Sequence, residues 1–382
     1  MKIKDLIIFV VLCISICGNV AFFMADGITY FRLKDLNEKN GARYPTCSSR
    51  EEFRKEIFDV NMDILMSGNR PEAPIFPSGV IDRIKYNLGK KKSYPFFYWG
   101  EPNWLLTATL EDAILHKDKE HIREIAEVFK DNINNQPIEH VDQCQCGSAA
   151  ILLHQGTGDN IYKSYADMVF EWCKNNNTEY GILYAKRNTA QVLDGYGMCL
   201  PFLQRYAQVY NDSIALNLVV RHIELAAKYF IDETGGLPVH RYSLSFPHIK
   251  QGNCNWGRGV SWFVSGLTDI DYSLLSDSTI AQLDKMDSAL LAIWKKNGKF
   301  NQFLGEQGEI DLSATLPIIY YLSRKGLIKL TEKDLLSFCR YSDNGLLYNS
   351  SPSNTGSYAF GMTFGPNVLS QAFMLKLLNE VK

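Results

Sequence analysis

The hydrophobic and polar positions of the chain follow the spacing of amphipathic helices over most of its length. From Asn103 onward, apolar helical stretches are separated by short polar turns, and there are few alternating Val, Ile and Thr runs of the kind that form strands. The pattern therefore predicts a mostly helical body. The predicted helical stretches are 55–66, 105–116, 122–129, 149–154, 162–172, 200–209, 214–230, 260–267, 280–294, 312–324, 332–339 and 367–380.

Three pairs of these stretches repeat the order helix, tight turn, helix. Their turns contain Asp118, Asp159 and Asp212, each placed to accept hydrogen bonds from the free N–H groups that begin the second helix. Hairpins with an exposed apolar face must stack, and the array either ends in polar caps or closes on itself. The last stretch stays apolar through 373–378. We therefore expect an all-α fold, an (α/α)6 toroid that forms one catalytic-type domain over residues 51–382.

The amino terminus carries an uncharged apolar run over residues 6–24, preceded by Lys2 and Lys4. At about 1.5 Å per residue this run is long enough to span a bilayer. We expect residues 1–25 to be a membrane anchor or signal segment and residues 26–50 to be a linker. The protein is then anchored in the membrane or exported, with its body outside the cytoplasm.

Retention of the apolar run as an anchor is favoured over its removal. No good small-x-small cleavage site stands between Gly18 and Gly27. A cleaved signal peptide remains an alternative. Lipid attachment at Cys17 is a further alternative, although Ile16 is larger than the residue that usually precedes such a site.

Charge and cysteine content exclude some classes of function. Lys and Arg number 40 and Asp and Glu number 42, for a formal charge of -2, which argues against binding to nucleic-acid phosphates. Two of the nine cysteines, Cys13 and Cys17, lie in the apolar run, so an odd number remains in the body. Cys144 and Cys146 lack the spacing of a zinc knuckle, and we expect no metal site. One or two disulfides are compatible with an oxidising compartment, but their pairing cannot be deduced.

Two aspartates occupy matching places in successive hairpins. Asp194 stands among Leu193, Tyr196 and Met198 at the start of an apolar helix, and Asp142 precedes the helix one hairpin earlier. Either residue could simply cap its helix. Apolar surroundings would instead raise the pKa of the Asp194 carboxyl. Both carboxylates would face the mouth of a closed ring, and a carboxylate pair is the usual equipment of glycoside chemistry.

A third cluster combines aromatic and cationic side chains. Trp256 and Trp262 flank Arg258, and His240 and His248 precede them. Aromatic faces stack on sugar rings, and a guanidinium pairs with a carboxylate through two hydrogen bonds. The alternative is that both indoles are buried in the core and Arg258 pairs with a surface acid.

With these clusters in this order, the chain resembles glycoside hydrolase families 88 and 105, the unsaturated glucuronyl and rhamnogalacturonyl hydrolases. The resemblance covers roughly residues 103–378. It rests on Trp-Gly-Arg-Gly-x-x-Trp at 256–262, on Asp-Gly-x-Gly-Met at 194–198 with Pro-Phe-Leu behind it, on Gly-Leu-Pro-Val-His at 236–240, and on Asp-Leu-Ser-Ala-Thr at 311–315. Trp99 and Asn103 fall where the family places an early aromatic and an early polar contact.

The resemblance implies a fold, a reaction and a set of roles. The implied fold is the (α/α)6 toroid. The implied substrate is an acidic oligosaccharide that ends in a 4,5-unsaturated uronic acid, and the implied reaction is hydration of its enol ether without a metal or cofactor. Asp194 would be the general acid and base, with Asp142 as its partner. Arg258 would pair with the uronate. Substrate contacts are expected at Trp99, Asn103, His240, His248, Trp256 and Trp262.

Two departures from the family pattern leave other functions open. Many relatives have Asn-Gly where this chain has Val260-Ser261, and a histidine often stands where this chain has Val141. A non-catalytic glycan-binding or polysaccharide-assembly protein with the same fold is therefore an alternative. A different six-hairpin enzyme, such as a sugar epimerase or an ordinary glycosidase, is another. The sequence makes no prediction of oligomeric state.

Overall fold

The computed structural model describes residues 3–45, 47–75, 79–89, 95–133, 137–183, 190–245, 249–251, 256–352, 361 and 363–380. Helices account for most of these residues, in chain order α1 (Ile3–Phe22), α2 (Ile28–Lys39), α3 (Arg50–Ser67), α4 (Val80–Asn87), α5 (Gly100–Leu115), α6 (Lys119–Ile133), α7 (Gln145–Thr157), α8 (Asn160–Asn175), α9 (Asp194–Tyr210), α10 (Ser213–Phe230), α11 (Gly257–Leu267), α12 (Asp277–Asn297), α13 (Leu312–Arg324), α14 (Glu332–Leu336) and α15 (Val368–Glu380).

The strands are short and form antiparallel pairs at the edges of the helical body. They are β1 (Asn177–Thr178), β2 (Gly181–Ile182), β3 (Ala190–Val192), β4 (Arg241–Ser243), β5 (Lys250–Gln251), β6 (Ser342–Asp343) and β7 (Leu346–Leu347). β1 pairs with β2, β6 pairs with β7, and β3, β4 and β5 make a three-stranded sheet in that order. The register of this sheet places Val192 opposite Arg241.

The odd-numbered helices from α5 to α15 form a closed inner ring. Each packs against the next, and α15 packs back against α5. The outer layer is formed by α3, α6, α8, α10, α12 and α14. In α11 every residue is buried, and α13 is buried from Leu312 to Leu322. A helix that is covered on all sides is mostly apolar, which explains the long apolar stretches in the sequence. The buried polar residues of α11, Arg258, Ser261 and Ser265, are hydrogen-bonded. The prediction of an all-α (α/α)6 toroid is confirmed.

The three turn aspartates cap the helices that follow them. Asp118 accepts a hydrogen bond from the His121 N–H at 3.2 Å, Asp159 from the Ile161 N–H at 3.0 Å, and Asp212 from the Ala215 N–H at 2.8 Å. Each bond satisfies a backbone donor that has no partner within the helix. The capping predicted for these aspartates is confirmed.

The amino-terminal segment projects from the ring. α1 and α2 are joined by a π-helical turn over Phe23–Gly27, and α2 lies within the stretch predicted to be a linker. Among the described residues, one helical run is long and apolar enough to cross a membrane, and it is this one. Cys47, which follows α2 in the chain, forms a disulfide with Cys339.

Candidate active site

The two candidate aspartates lie in turns that pack against each other. Asp142 belongs to a 3-10 turn over Val141–Gln143, and Asp194 is the first residue of α9. A Cβ added to Gly195 would lie 3.4 Å from Cγ2 of Val141, so the two turns are in van der Waals contact. Both turns begin inner helices, and the two carboxyls therefore share one mouth of the ring.

The Asp194 carboxyl does not act as a helix cap. The cap position of α9 is Leu193, which makes no side-chain hydrogen bond, and Oδ1 of Asp194 is buried with no hydrogen-bond partner among the residues that the structure describes. The side chain is 19% exposed, so the carboxyl is surrounded by protein yet has an opening to solvent. Burial raises its pKa well above the usual value, and the charges of Asp142 and Glu101 raise it further, against the opposing effect of Arg258. These surroundings favour the protonated acid.

Each aspartate has a buried histidine beside it. Nδ1 of His240 lies 3.9 Å from Oδ1 of Asp194, and Nδ1 of His140 lies 3.7 Å from Oδ2 of Asp142. The β3–β4 pairing holds His240 in place, because the Leu193 N–H donates to its carbonyl oxygen at 3.0 Å. Burial lowers the pKa of both imidazoles to about 4, so both are neutral at neutral pH.

Asn103 fixes the backbone at Asp142. Its Nδ2 donates to the Asp142 carbonyl oxygen at 2.7 Å and to the Phe97 carbonyl oxygen at 3.2 Å. Its Oδ1 accepts from Sγ of Cys146 at 3.0 Å, and the side chain is fully buried. The structure therefore uses this amide to position a candidate catalytic turn, and direct contact with a ligand stays a prediction.

The three predicted tryptophans have different environments. The Trp99 ring lies 5.4 Å from the His140 ring and is partly exposed, whereas the Trp256 ring lies 4.7 Å from the His240 ring and is 3% exposed. Each ring packs against the histidine beside one candidate carboxyl. Trp262 is 3% exposed. Its backbone lies so close to Gly197 of α9 that a Cβ on Gly197 would overlap the Trp262 carbonyl oxygen. Trp262 thus belongs to the α9–α11 contact, and its part in a saccharide wall stays a prediction.

Arg258 is buried, not paired with a surface acid. Its side chain is 1% exposed, Nε donates to Oγ of Ser313 at 3.0 Å, and Nη2 donates to the Ser351 carbonyl oxygen. Nη1 lies 3.8 Å from Oε1 of Glu101, whose other oxygen lies 3.6 Å from Arg70. The positive charge of Arg258 opposes the rise in the pKa of Asp194, and the pairing of Arg258 with a uronate stays a prediction.

Two residues of the site, His140 and Glu101, were not predicted from the sequence. Glu101 lies in the first turn of α5, and His140 precedes the turn that carries Asp142. Their place in the sequence could have identified them, because both residues stand where an inner helix begins and the inner helices begin at the mouth. His248, which the sequence singled out, lies outside the described residues. Within the described ranges, no group of three or more His, Cys, Asp or Glu side chains is placed to hold a metal ion.

Comparison with protein families gives a match to the model described as Glycosyl Hydrolase Family 88, over residues 99–345. The match spans both aspartates and the Trp256–Trp262 segment. The chain belongs to glycosyl hydrolase family 88. By its family, this family 88 protein is a glycoside hydrolase, and its substrate is a saccharide.

Solved structures with the same fold are only distantly similar in sequence to this family 88 protein. A possible family 105 member from Klebsiella pneumoniae has 16% identity and a TM-score of 0.69, over 89% of this chain and 94% of that one. A UGL variant with dGlcA-Glc-Rha-Glc has 13% identity and a TM-score of 0.64, over 86% and 95%. The α-1,6-mannanase GH76A from Salegentibacter has 15% identity and a TM-score of 0.59, over 86% and 98%. No curated protein sequence matches the chain.

Proposed function

We propose that this protein removes the terminal 4,5-unsaturated uronic acid from acidic oligosaccharides by hydrating the enol ether double bond. The observation that carries the proposal is the Asp194 carboxyl, whose pKa is raised by burial and by Asp142 at the mouth of the ring. An enol ether must first receive a proton on carbon. A carboxyl that holds its proton near neutral pH is suited to supply one.

In the proposed reaction Asp194 donates its proton to C4 of the unsaturated ring, which leaves positive charge shared between C5 and the ring oxygen. A water molecule adds its oxygen to C5 and returns a proton to the Asp194 carboxylate. The product is a hemiketal at C5. Its ring opens to a 5-keto acid, the glycosidic bond at C1 breaks, and the aglycone leaves with a free hydroxyl group.

The neighbouring residues have roles that fit this sequence of steps. Asp142 keeps the pKa of Asp194 high before protonation of C4, and its negative charge stabilises the cationic transition state. Neutral His240, 3.9 Å from Asp194, can donate a hydrogen bond to the carboxylate that forms after proton transfer. Trp99, which is partly exposed beside His140, would stack on the sugar, whereas Trp256 is buried against His240 and would hold that histidine in place.

We infer that the protein stays anchored and that its body lies outside the cytoplasm. The apolar helical run supports an anchor by its length and composition. The Cys47–Cys339 disulfide supports an oxidising compartment, because such bonds are rare in the reducing cytosol. Acidic oligosaccharides released by polysaccharide lyases outside the cell would then be accessible to the mouth.

Asp194→Asn tests the assigned chemistry. The amide cannot supply the proton, so we expect turnover of the unsaturated substrate to fall by about 100- to 10,000-fold while the fold is retained. The measurement is the loss of ultraviolet absorbance of the C4=C5 bond, with lyase-generated oligosaccharides from several acidic polysaccharides as substrates. Asp212→Asn is the matched control, because an asparagine at this cap of α10 still accepts the Ala215 N–H bond.

Undiminished turnover in Asp194→Asn would show that another group protonates the substrate. Saccharide binding without turnover of any unsaturated oligosaccharide by the unmodified chain would favour the non-catalytic alternative. The two outcomes are distinct, because the first requires an active enzyme and the second an inactive one.

A further inference from the structure

Helix α4 packs against the amino-terminal helix where the apolar run ends. Nδ2 of Asn87 donates to the carbonyl oxygens of Met24 and Ala25 at 2.8 and 3.1 Å, and Arg83 pairs with Asp26 at 3.0 Å. Ala25 is fully buried by this contact region. α4 is therefore fixed at the level of the chain where, for a membrane-spanning helix, the hydrocarbon meets the head groups.

The outer face of α4 is exposed and carries apolar side chains around one basic residue, Lys85, which pairs with Asp82 at 3.8 Å. Val80 is 50% exposed, Ile81 is 69% exposed, and Leu88, directly after the helix, is 53% exposed. Ile81 and Leu88 are seven positions apart and so lie on one face of the helix. Phe22 and Phe23, exposed by 64% and 54%, continue the apolar surface on the neighbouring helix. A short helix that presents apolar side chains with a lysine among them, next to a membrane span, suits the bilayer interface, where lysine reaches the head groups.

The same amino-terminal segment is bonded to the mouth side of the ring. After α2, Nδ2 of Asn40 donates to the Phe364 carbonyl oxygen at 2.8 Å, and the Gly41 N–H donates to Oδ1 of Asn349 at 2.6 Å. The Asn349 carbonyl oxygen in turn accepts from the N–H of Leu312, the first residue of α13. α2 thus leaves the ring at the amino-terminal ends of the inner helices, where the candidate active site lies.

A second connection reaches the site more directly. Between α3 and α4 the chain passes Arg70, which lies 3.6 Å from Glu101, and Glu72, which forms a β-bridge with Asn367 just before α15. Glu101 is the buried acid that adjoins Arg258 and raises the pKa of Asp194. Both segments that hold the anchor to the body are therefore attached to the rim of the mouth.

We propose that α4 inserts its Val80, Ile81 and Leu88 face into the surface of the lipid bilayer and that the mouth of the ring is held toward the membrane. The helix α2, between the bilayer and the rim, has 12 residues. At about 1.5 Å per residue its length is roughly 18 Å, which is the expected separation of the bilayer from the rim. The preferred substrate is then a saccharide carried at the membrane surface. This statement about the substrate rests on the proposed function, but the docking of α4 does not.

The docking of α4 is tested with the full chain in phosphatidylcholine vesicles that contain a phospholipid with a photoactivatable diazirine in its acyl chain. We expect carbene adducts, mapped by mass spectrometry, at residues 80–88 as well as in the apolar run. Ile214, at the start of the outer helix α10, is the internal control, because it is 54% exposed but far from the rim along its hairpin. Adducts confined to the apolar run would overturn the proposal.

The orientation of the mouth is tested by turnover of one unsaturated oligosaccharide presented in two forms, free in solution and linked to a lipid in the same vesicles. We expect the double variant Ile81→Glu with Leu88→Glu to lose several-fold in rate on the lipid-linked form and nothing on the free form. Ile214→Glu should change neither rate. An equal effect of the double variant on both forms, or no effect on either, would overturn the proposal.

The two hypotheses fail in different ways. If neither form is turned over by the unmodified protein, the proposed reaction is wrong, and the photolabelling result still decides whether α4 lies in the bilayer. If both forms are turned over and residues 80–88 are unlabelled, the reaction stands and the membrane-facing mouth is wrong.

Discussion

At the scale of single residues, the candidate site depends on uneven charge around one carboxyl. Asp142 and Glu101 disfavour ionisation of Asp194, while Arg258 favours it. Glu101 pairs with Arg258 at 3.8 Å and with Arg70 at 3.6 Å, so it also reduces the effect of Arg258 on the site. Glu101 thus acts on the chemistry by changing the pKa of Asp194, both through its own charge and through Arg258, and is a positioning residue.

Glu101→Gln should lower the pKa of Asp194 for two reasons with the same sign. The substitution removes a negative charge near the carboxyl, and it leaves Arg258 less neutralised. The acid form of Asp194 is needed for protonation, so the alkaline limb of the pH profile of kcat/KM should move to lower pH. The measurement is the rate of loss of ultraviolet absorbance across the pH range.

The control for Glu101→Gln is Glu120→Gln, the same chemical change at an exposed position in the first turn of the outer helix α6. Its pH profile should match that of the unmodified protein. If the Glu101 variant loses rate without any displacement of the alkaline limb, Glu101 has a structural role and does not tune Asp194.

At the scale of helices, the ring depends on close contacts between inner neighbours. Gly197 of α9 lies against the backbone of Trp262 in α11, where a side chain would overlap the carbonyl oxygen. A Cβ added to Gly266 of α11 would lie 2.6 Å from the Tyr196 carbonyl oxygen of α9. α9 and α11 therefore approach each other closely at a glycine on each helix. This close packing fixes the position of α9, whose first residue is Asp194.

Gly197→Ala should force α9 and α11 apart. Because the obstructing atoms are backbone, they cannot rotate away, and we expect a loss of about 1–3 kcal/mol or more in the free energy of unfolding. Gly156→Ala in α7 is the matched control, since no atom in the described part of the chain lies within 4 Å of a Cβ at that position. It should stabilise the protein by about 0.5–1 kcal/mol through helix propensity. Urea denaturation of both variants measures the difference, and equal stabilities would contradict the close contact.

The helices and caps could be predicted from the sequence because their causes are local. Apolar spacing predicted each inner and outer helix, and Asp159 and Asp212 occupy the capping positions expected of them. The beginning of α9 was less accessible. The apolar pattern itself covers only 200–209, and Asp194 was expected just ahead of it, but the helix already begins at Asp194. It runs through Pro201, which packing within the ring permits although proline lacks the N–H that a helix interior uses.

The partners of the candidate site could not be predicted in the same way, because they join distant segments. His240 reaches Asp194 through the pairing of β3 with β4, and these strands are too short to leave a periodic pattern. Glu101 acquires its role only when α5 and α11 become neighbours of the same mouth. The pairing of Asp142 with Asp194 was expected from the ring, but its packing through Val141 and Gly195 depends on three-dimensional contact.

At the scale of the whole molecule, the Cys47–Cys339 disulfide links the segment after α2 to the turn after α14. The two cysteines are 292 positions apart, so the bond closes nearly the whole body into one loop. A cross-link over a long loop restricts the unfolded chain most strongly. The bond therefore stabilises the ring and, at the same time, fastens the base of the anchor to its outer layer.

Replacement of both Cys47 and Cys339 by serine should lower the free energy of unfolding by about 2–5 kcal/mol. Urea denaturation with and without reductant gives the measurement. Reductant should destabilise the unmodified protein to a similar extent and leave the double variant unchanged. A reductant effect of equal size in the double variant would mean that other cysteines carry the bond.

The position of this disulfide also determines what happens when the body is cut. A protease that severs one surface peptide bond anywhere in 48–338 leaves two fragments that are still covalently joined through sulfur. The carboxyl-terminal fragment, which includes α15, would remain attached to the vesicle or cell that holds the amino terminus. Shedding of the ring into the medium would require a reducing agent or cleavage before Cys47, so a nicked population should appear intact on a non-reducing gel and as two bands after reduction.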